Sequence, residues 1–351
     1  MYKIHKNEYE EFFNFLYKRP IHVYSETDLV LANNNKMDYK NGRIYYTQEI
    51  EKVLKTKVFK RLNKIFQLGT EIYIDPRLMH TRGEHSKGTY MQTLDLLITI
   101  CKNQNIRNII ETNNCEKYLL AELMRALLHD IGHGPFSHTM ETVCDLPKGF
   151  HEDIGNRIIE EDAELKQALN NVFPNLSQYI KMVREKNFLG LNYLFEGQFD
   201  VDRSDFVIRD SFFAEKKYEH LSELVTQIFS SVQLKKVKVN GTNKILPIFP
   251  YDQLENIERF LEYRLNNYED LYYSKDGKLY EHIFKEFAQA LIQSDEDYSL
   301  KDFLLHNMNK TPNQIDLEEY LNYNDIIYFN GIIDVYKNTK DERLRRLSKY
   351  C

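Results

Sequence analysis

The stretch that most constrains this chain is ELMRALLHDIGHGPFSHTME, residues 122–141. Leu119, Leu120, Leu123, Ala126 and Leu127 recur at three- and four-residue spacing, which predicts a buried helix entering it. That helix delivers His129 and Asp130 side by side. Gly132, Gly134 and Pro135 then break it, and a new helix is predicted to start near Ser137. His133 and His138 lie in this bend. Ionisable groups are rarely buried unless they are paired or bound to a metal. The rest of the chain is therefore expected to complete a site around His129 and Asp130.

Composition narrows the setting. Glycine and proline are scarce, 13 and 8 among 351 residues, which favours helices over a sandwich or barrel. The length is that of one large or two ordinary domains. No run approaches the roughly 20 apolar residues of a membrane span. The polar opening MYKIHKNEYEE does not have the pattern of a signal peptide, so the expected location is cytoplasmic, with no membrane partner. Cys101, Cys115, Cys144 and Cys351 show no metal or disulfide spacing and are read as free thiols. A net charge of −6 argues against a broadly basic nucleic-acid surface but leaves room for a local basic pocket.

In chain order, residues 8–17 suit a short amphipathic helix, 22–31 a strand, 33–36 a loop, and 38–46 a turn leading into a strand. Ile50, Val53, Leu54, Val58, Phe59, Leu62, Ile65 and Phe66 predict one helix over 47–67. His85 opens another apolar helix and His151 stands at the start of a third. Residues 164–196 read as amphipathic helices, and 235–248 as a hairpin turning at Asn240-Gly241. Helices are expected again from 254 to 275, over 279–293 and over 316–350. The predicted organisation is an N-terminal extension (1–36), a mainly helical core (37–230), and a hairpin plus compact helical C-terminal lobe (231–351) packed as one structural unit.

Six of the 11 histidines fall between His80 and His151. A His-Asp dipeptide alone is a weak signal, but this density at helix termini suits convergence. His85, His129, Asp130 and a later aspartate, best Asp202, make a first coordination shell. Asp200 is the competitor for the last place. Two imidazoles and two carboxylates suit a divalent ion such as Mn, Fe, Co, Ni, Zn or Mg, leaving positions for water and substrate.

The segments FKRLNKIFQLGT, HTRGEHSKG, LLHDIGHGPFSHTME, FHEDIG and DVDRSDFVIRD, in this order, resemble the HD-domain deoxynucleoside triphosphate triphosphohydrolases. The resemblance covers roughly residues 38–275. It implies an HD-domain helical fold and metal-dependent hydrolysis of a deoxynucleoside triphosphate (dNTP) to deoxynucleoside and inorganic tripolyphosphate. It also implies His85, His129, Asp130 and Asp202 as ligands, with Asp202 matching the family's second acid. His133 and His138 would handle phosphate and protons, with Glu141 as the acid partner of His138 and His151 as a further active-site histidine. Arg82 and Arg203 would bind substrate phosphates. Gln67, Asp210, Arg264 and Tyr272 would lie nearer the nucleoside.

The chain departs from that family in places. Phe206 and Tyr268 replace a tyrosine and a histidine of the vertebrate members, and Arg203 replaces a lysine. The segment DYKNG matches a regulatory nucleotide segment only loosely. The resemblance also implies a homo-oligomer, an effector nucleotide, and a role in nucleotide-pool balance or in starving a phage of dNTPs. Two other functions share these residues: an HD-type phosphodiesterase or nucleotidase acting on other nucleotides or single-stranded nucleic acid, and an oligomeric nucleotide sensor with vestigial catalysis.

Overall fold

The computed structural model describes residues 4–27, 43–185, 188–215, 220–239 and 241–351. Helices dominate these residues, with two small antiparallel strand pairs, as the scarcity of glycine and proline predicts. Contacts divide the chain into two compact units, neither of them a continuous stretch. The first is 1–56, 84–128 and 162–266; the second is 57–83, 129–161 and 267–351.

In the first unit, helix Glu116–Leu128 is buried on every face, with Leu119, Leu120, Leu123, Met124 and Leu127 at 1% exposure or less. Each such side chain contributes about 1.5–3 kcal/mol by leaving water. Helices Lys6–Tyr17 and Leu176–Glu185 pack on it, and helix Ala163–Val172 packs on Gln48–Leu54. Polar caps set the helix starts: Thr47 accepts from Ile50 N and Asp162 from Leu165 N, supplying partners that a first helical turn lacks. Strand Tyr24–Thr27 pairs with Arg43–Tyr46. The hairpin Gln233–Val239 and Thr242–Ile248 runs in register from Gln233 opposite Ile248 to Val239 opposite Thr242. The predicted strand over 22–31 is present at Tyr24–Thr27. His22 and Val23 precede it outside the strand, while 28–31, the 33–36 loop, the 38–42 turn and Asn240 lie outside the described residues.

In the second unit, an aromatic core joins helices Lys275–Gln293, Ser299–Asn307 and Asp325–Asn338. The Phe136 ring meets Phe284 at 5.2 Å and 73°, and Tyr328 at 5.5 Å and 88°, edge-to-face contacts that favour ring quadrupoles. The loop before His138 is thus anchored by its own side chain.

The single helix predicted over 47–67 is instead Gln48–Leu54, Lys57–Arg61 and a 3-10 turn Leu62–Lys64. Thr56 turns its hydroxyl back onto Val53 O at 2.8 Å, a local bond that competes with helix continuation. Beyond Lys64, tertiary partners replace helical ones: Phe66 N donates to Asp325, and Arg82 N donates to Ile65 O. The run predicted over 316–350 is three helices, Leu317–Asn322, Asp325–Asn338 and Glu342–Tyr350, restarted by the caps Asn324 and Asp341. Helix Ser299–Asn307 was not predicted.

The four cysteines are free and buried, and burial pushes the Cys101, Cys144 and Cys351 thiols up to about 12. Among the described residues no helix is long and apolar enough to cross a membrane.

Candidate active site

The first unit presents His85 from helix Arg82–Cys101, and Asp202, Asp205 and Arg209 from one face of helix Val201–Phe213. His85 Nδ1 lies 2.8 Å from Asp205 Oδ2, and its Nε2 lies 3.0 Å from Asp202 Oδ1. Arg209 donates to both Asp205 oxygens, at 3.0 and 3.2 Å. Burial works to raise the Asp205 carboxyl, but Arg209 and His85 outweigh it and hold it below the usual carboxylate range. An ionised Asp205 fixes the proton of His85 on Nδ1. The Nε2 lone pair then faces a carboxylate oxygen, two acceptors that need a proton or a cation between them. Their 3.0 Å separation is that of neighbouring ligands bonded at roughly 2.0–2.2 Å to one ion.

Space for this arrangement comes from Gly88. A Cβ there would stand 1.9 Å from Asp205 Oδ1 and 2.5 Å from Arg209 Nη2. Gly88 and Arg209 were not singled out from sequence, and Asp205 stands there only as one of four aspartates between 200 and 210, with no role assigned. Their one local signal is the four-residue spacing of an acid and an arginine on a helix.

Asp200 has a different task from Asp202. It is fully buried and caps helix Val201–Phe213, accepting from Arg203 N at 2.7 Å and from the Arg203 guanidinium. Burial and the adjacent Asp202 push its carboxyl up to about 7, with Arg203 pulling the other way. Arg203, expected at phosphate, thus rests on Asp200. Arg264 Nη1 donates to Gln198 O at 3.1 Å, and Asp210 is buried.

The second unit holds the histidine cluster. Asp130 accepts from Arg82 Nη1 at 2.7 Å, and His129 Nε2 and His133 Nε2 lie 3.4 and 3.3 Å from its other oxygen. Burial opposes the charge on Asp130, yet Arg82 and the two histidines hold its carboxyl well below the usual range. Arg82 also donates to Ser137 Oγ at 2.9 Å and to Gln67 O at 3.2 Å. Gln67 Oε1 is buried with no hydrogen-bond partner among the described residues.

Glu141 links the next pair. Its Oε2 lies 3.2 Å from His138 Nδ1 and its Oε1 lies 2.5 Å from His151 Nδ1. Burial opposes the charge here too, but these two hydrogen bonds hold the Glu141 carboxyl far below its usual value. His133 stacks on His151 at 4.0 Å and 12°, and His138 stands edge-on to both. Burial, then Arg82 and His151, hold His133 well below the usual histidine range against the pull of Asp130, so it is neutral. Its Nδ1 is buried without a hydrogen-bond partner among the described residues. His133, His138, Glu141 and His151 each bring one ligand-type atom within 4.8 Å of the others. Two parallel stacked rings cannot aim their in-plane lone pairs at one ion, so this group suits an anion or a proton better than a metal.

The backbone around the cluster is tightly specified. A Cβ at Gly132 would stand 2.0 Å from His151 O, so only glycine lets the loop meet helix Phe150–Glu161. Phe136 and Ser137 carry φ of 54° and 55°, conformations that cost about 1–3 kcal/mol each for non-glycine residues. Tyr272 closes a π-helical turn, Tyr268–Tyr272, edge-on to Tyr268 at 4.9 Å. His85 and Asp202 thus belong to the first unit, and His129, Asp130 and the histidine cluster to the second.

The HD domain family model matches residues 83–226. The matched stretch spans His85, the His129-Asp130 dipeptide and Asp202. Among similar proteins, an uncharacterized protein of Bacillus subtilis, YwfO, is 28% identical over 299 residues, 84% of this chain and 64% of the relative. The chain therefore spans less than two thirds of that relative's length. A deoxynucleoside triphosphate triphosphohydrolase SAMHD1 homolog of Dictyostelium discoideum is 24% identical over 342 residues, 93% of this chain and 60% of the homolog. The crystal structure of a phosphohydrolase from Bacteroides thetaiotaomicron shares the fold, with a TM-score of 0.70 and 22% identity over 93% of this chain and 76% of that one.

Proposed function

We propose that this protein is a metal-dependent hydrolase that cuts deoxynucleoside triphosphates into deoxynucleoside and inorganic tripolyphosphate. The observation that carries the reading is the set Arg82–Asp130–His133 beside His138–Glu141–His151 within one unit: a buried cation, neutral imidazole and oriented imidazoles, the groups a phosphoryl transfer needs. Dictyostelium's SAMHD1 homolog, named for this activity, aligns over 93% of the chain.

His85, His129, Asp130 and Asp202 would hold the divalent ion. The fit rests on this donor set and on Asp205 turning the Nε2 lone pair of His85 toward Asp202. Such an ion, when bound, polarises a phosphoryl oxygen and lowers the pKa of a bound water. Arg82 binds α-phosphoryl oxygens through its planar fork, which matches them better than a point charge. His133, its one N–H turned to Asp130, is neutral and so adds an uncharged imidazole beside Arg82 without repelling it. His138, open to solvent and oriented by Glu141, delivers its proton to the departing 5′ oxygen. A water oxygen bonds to the α-phosphorus, the bond to the 5′ oxygen breaks, and tripolyphosphate leaves with the water's oxygen. Gln67 and Tyr272 contact the nucleoside, with Asp210 and Arg264; Arg203 moves from Asp200 to phosphate.

Hydrolysis in oxygen-18 water tests this bond assignment. One label in tripolyphosphate and none in the deoxynucleoside supports it. Label in the deoxynucleoside, or in pyrophosphate or orthophosphate, overturns it.

A further inference from the structure

Asp325 stands in the first turn of helix Asp325–Asn338, where an acid ordinarily serves its own helix. Asn324 already does so, accepting from Ile326 N at 3.1 Å and Ile327 N at 3.3 Å. The Asp325 carboxylate reaches elsewhere. Its Oδ2 accepts from Phe66 N and its Oδ1 from Phe136 N, both at 2.7 Å. Beside it, the Tyr320 hydroxyl donates to Gly132 O at 2.9 Å. Arg61 donates to His133 O and to Tyr323 O, each at 2.8 Å, with its guanidinium 5.3 Å from the Tyr320 ring centroid. Asp325 and Tyr320 are 1% exposed and Arg61 6%.

We propose that Asp325, Arg61 and Tyr320 are positioning residues that set the 132–137 loop so that His133 and His138 meet Glu141 and His151 in a reactive arrangement. This rests on the reading of that loop as catalytic. None of the three is among the groups assigned to phosphate, metal or proton. Each grips the loop by its backbone: the carbonyls of Gly132 and His133 and the amide of Phe136. The gripped backbone includes the left-handed residues Phe136 and Ser137, directly before His138. Without those partners the loop relaxes toward ordinary dihedrals, and His138 turns with it. Gly134 fits the same picture, since a Cβ there would stand 2.7 Å from the Tyr320 hydroxyl.

The test compares wild type, Tyr320→Phe and Asp325→Asn, full length, with Mn²⁺ for kinetics and without it for ¹H–¹⁵N spectra of the imidazoles. Tyr320→Phe deletes one hydroxyl and keeps the ring, so it decides the matter even if Asp325→Asn does not fold. The expected result is a fall in kcat of roughly 10- to 100-fold with KM within about twofold. The His133 and His138 resonances shift, while those of His22 in the first unit stay in place. A folded variant with unchanged His133 and His138 resonances and unchanged kcat overturns the inference. A wild type that hydrolyses no dNTP overturns the proposed function instead, and the imidazole spectra still decide whether the grip sets the loop.

Discussion

Asp205 Oδ2 sits 2.8 Å from His85 Nδ1 while Arg209 holds the same carboxylate from behind. This chain of contacts fixes both the tautomer and the direction of a proposed metal ligand. Asp205→Asn keeps the shape but removes the charge that anchors the proton on Nδ1. Loss of such a partner weakens metal binding by roughly 10- to 100-fold. Calorimetric titration with Mn²⁺ checks this; an unchanged affinity would mean that His85 is not a ligand.

Gly88 tests the same geometry by volume. Gly88→Ala places a methyl where Asp205 and Arg209 meet, and overpacking of this kind costs about 1–3 kcal/mol. Chemical denaturation is expected to show that loss together with weaker metal binding. A variant as stable as wild type, with the same affinity, would mean that the pair can move aside freely.

Stability should fall as pH rises toward neutral. Glu122 is fully buried on helix Glu116–Leu128, with Arg125 Nε 3.0 Å from its Oε2. Burial pushes its carboxyl up to about 7, helped by Glu196 and opposed by Arg125. In the unfolded chain a glutamate titrates near roughly 4.3. Between these values the folded state keeps a proton that the unfolded state has released, so stability declines with pH across that window. Asp200 and Asp325, also raised to about 7, act in the same direction. Urea unfolding at pH 5 and pH 8 should therefore show a smaller decline in Glu122→Gln than in wild type. Equal declines would place no titrating proton on Glu122.

Glu141 is expected to act on rate more than on binding. Glu141→Gln leaves a neutral partner for His138 and His151, and His138→Ala removes the proposed acid altogether. General acid catalysis supplies roughly 10²- to 10⁴-fold, so His138→Ala should lose that much kcat and Glu141→Gln a smaller share, with KM nearly unchanged. Steady-state kinetics on a dNTP decides it. A rise in KM at constant kcat would make both residues binding groups.

Much of this was legible where chemistry is local. The spacing of Leu119, Leu120, Leu123 and Leu127 announces the central helix, and the family resemblance marks His138 and Glu141 as a pair, which their three-residue spacing brings to one helix face. What stayed hidden depends on partners far along the chain. Asp205 gains meaning only from His85, and Arg61 only from the carbonyls of His133 and Tyr323. The helix predicted through 47–67 failed for the same reason. Apolar periodicity continues through Phe66, but the backbone there bonds to Asp325, His80 and Arg82 instead of to its own turn.

The most direct test of the central claim is separation of the products after incubating the Mn²⁺-loaded protein with all four dNTPs, singly and mixed. The account predicts deoxynucleoside and inorganic tripolyphosphate in equal amounts. Deoxynucleoside monophosphate with pyrophosphate, or intact dNTPs in every mixture, would contradict it.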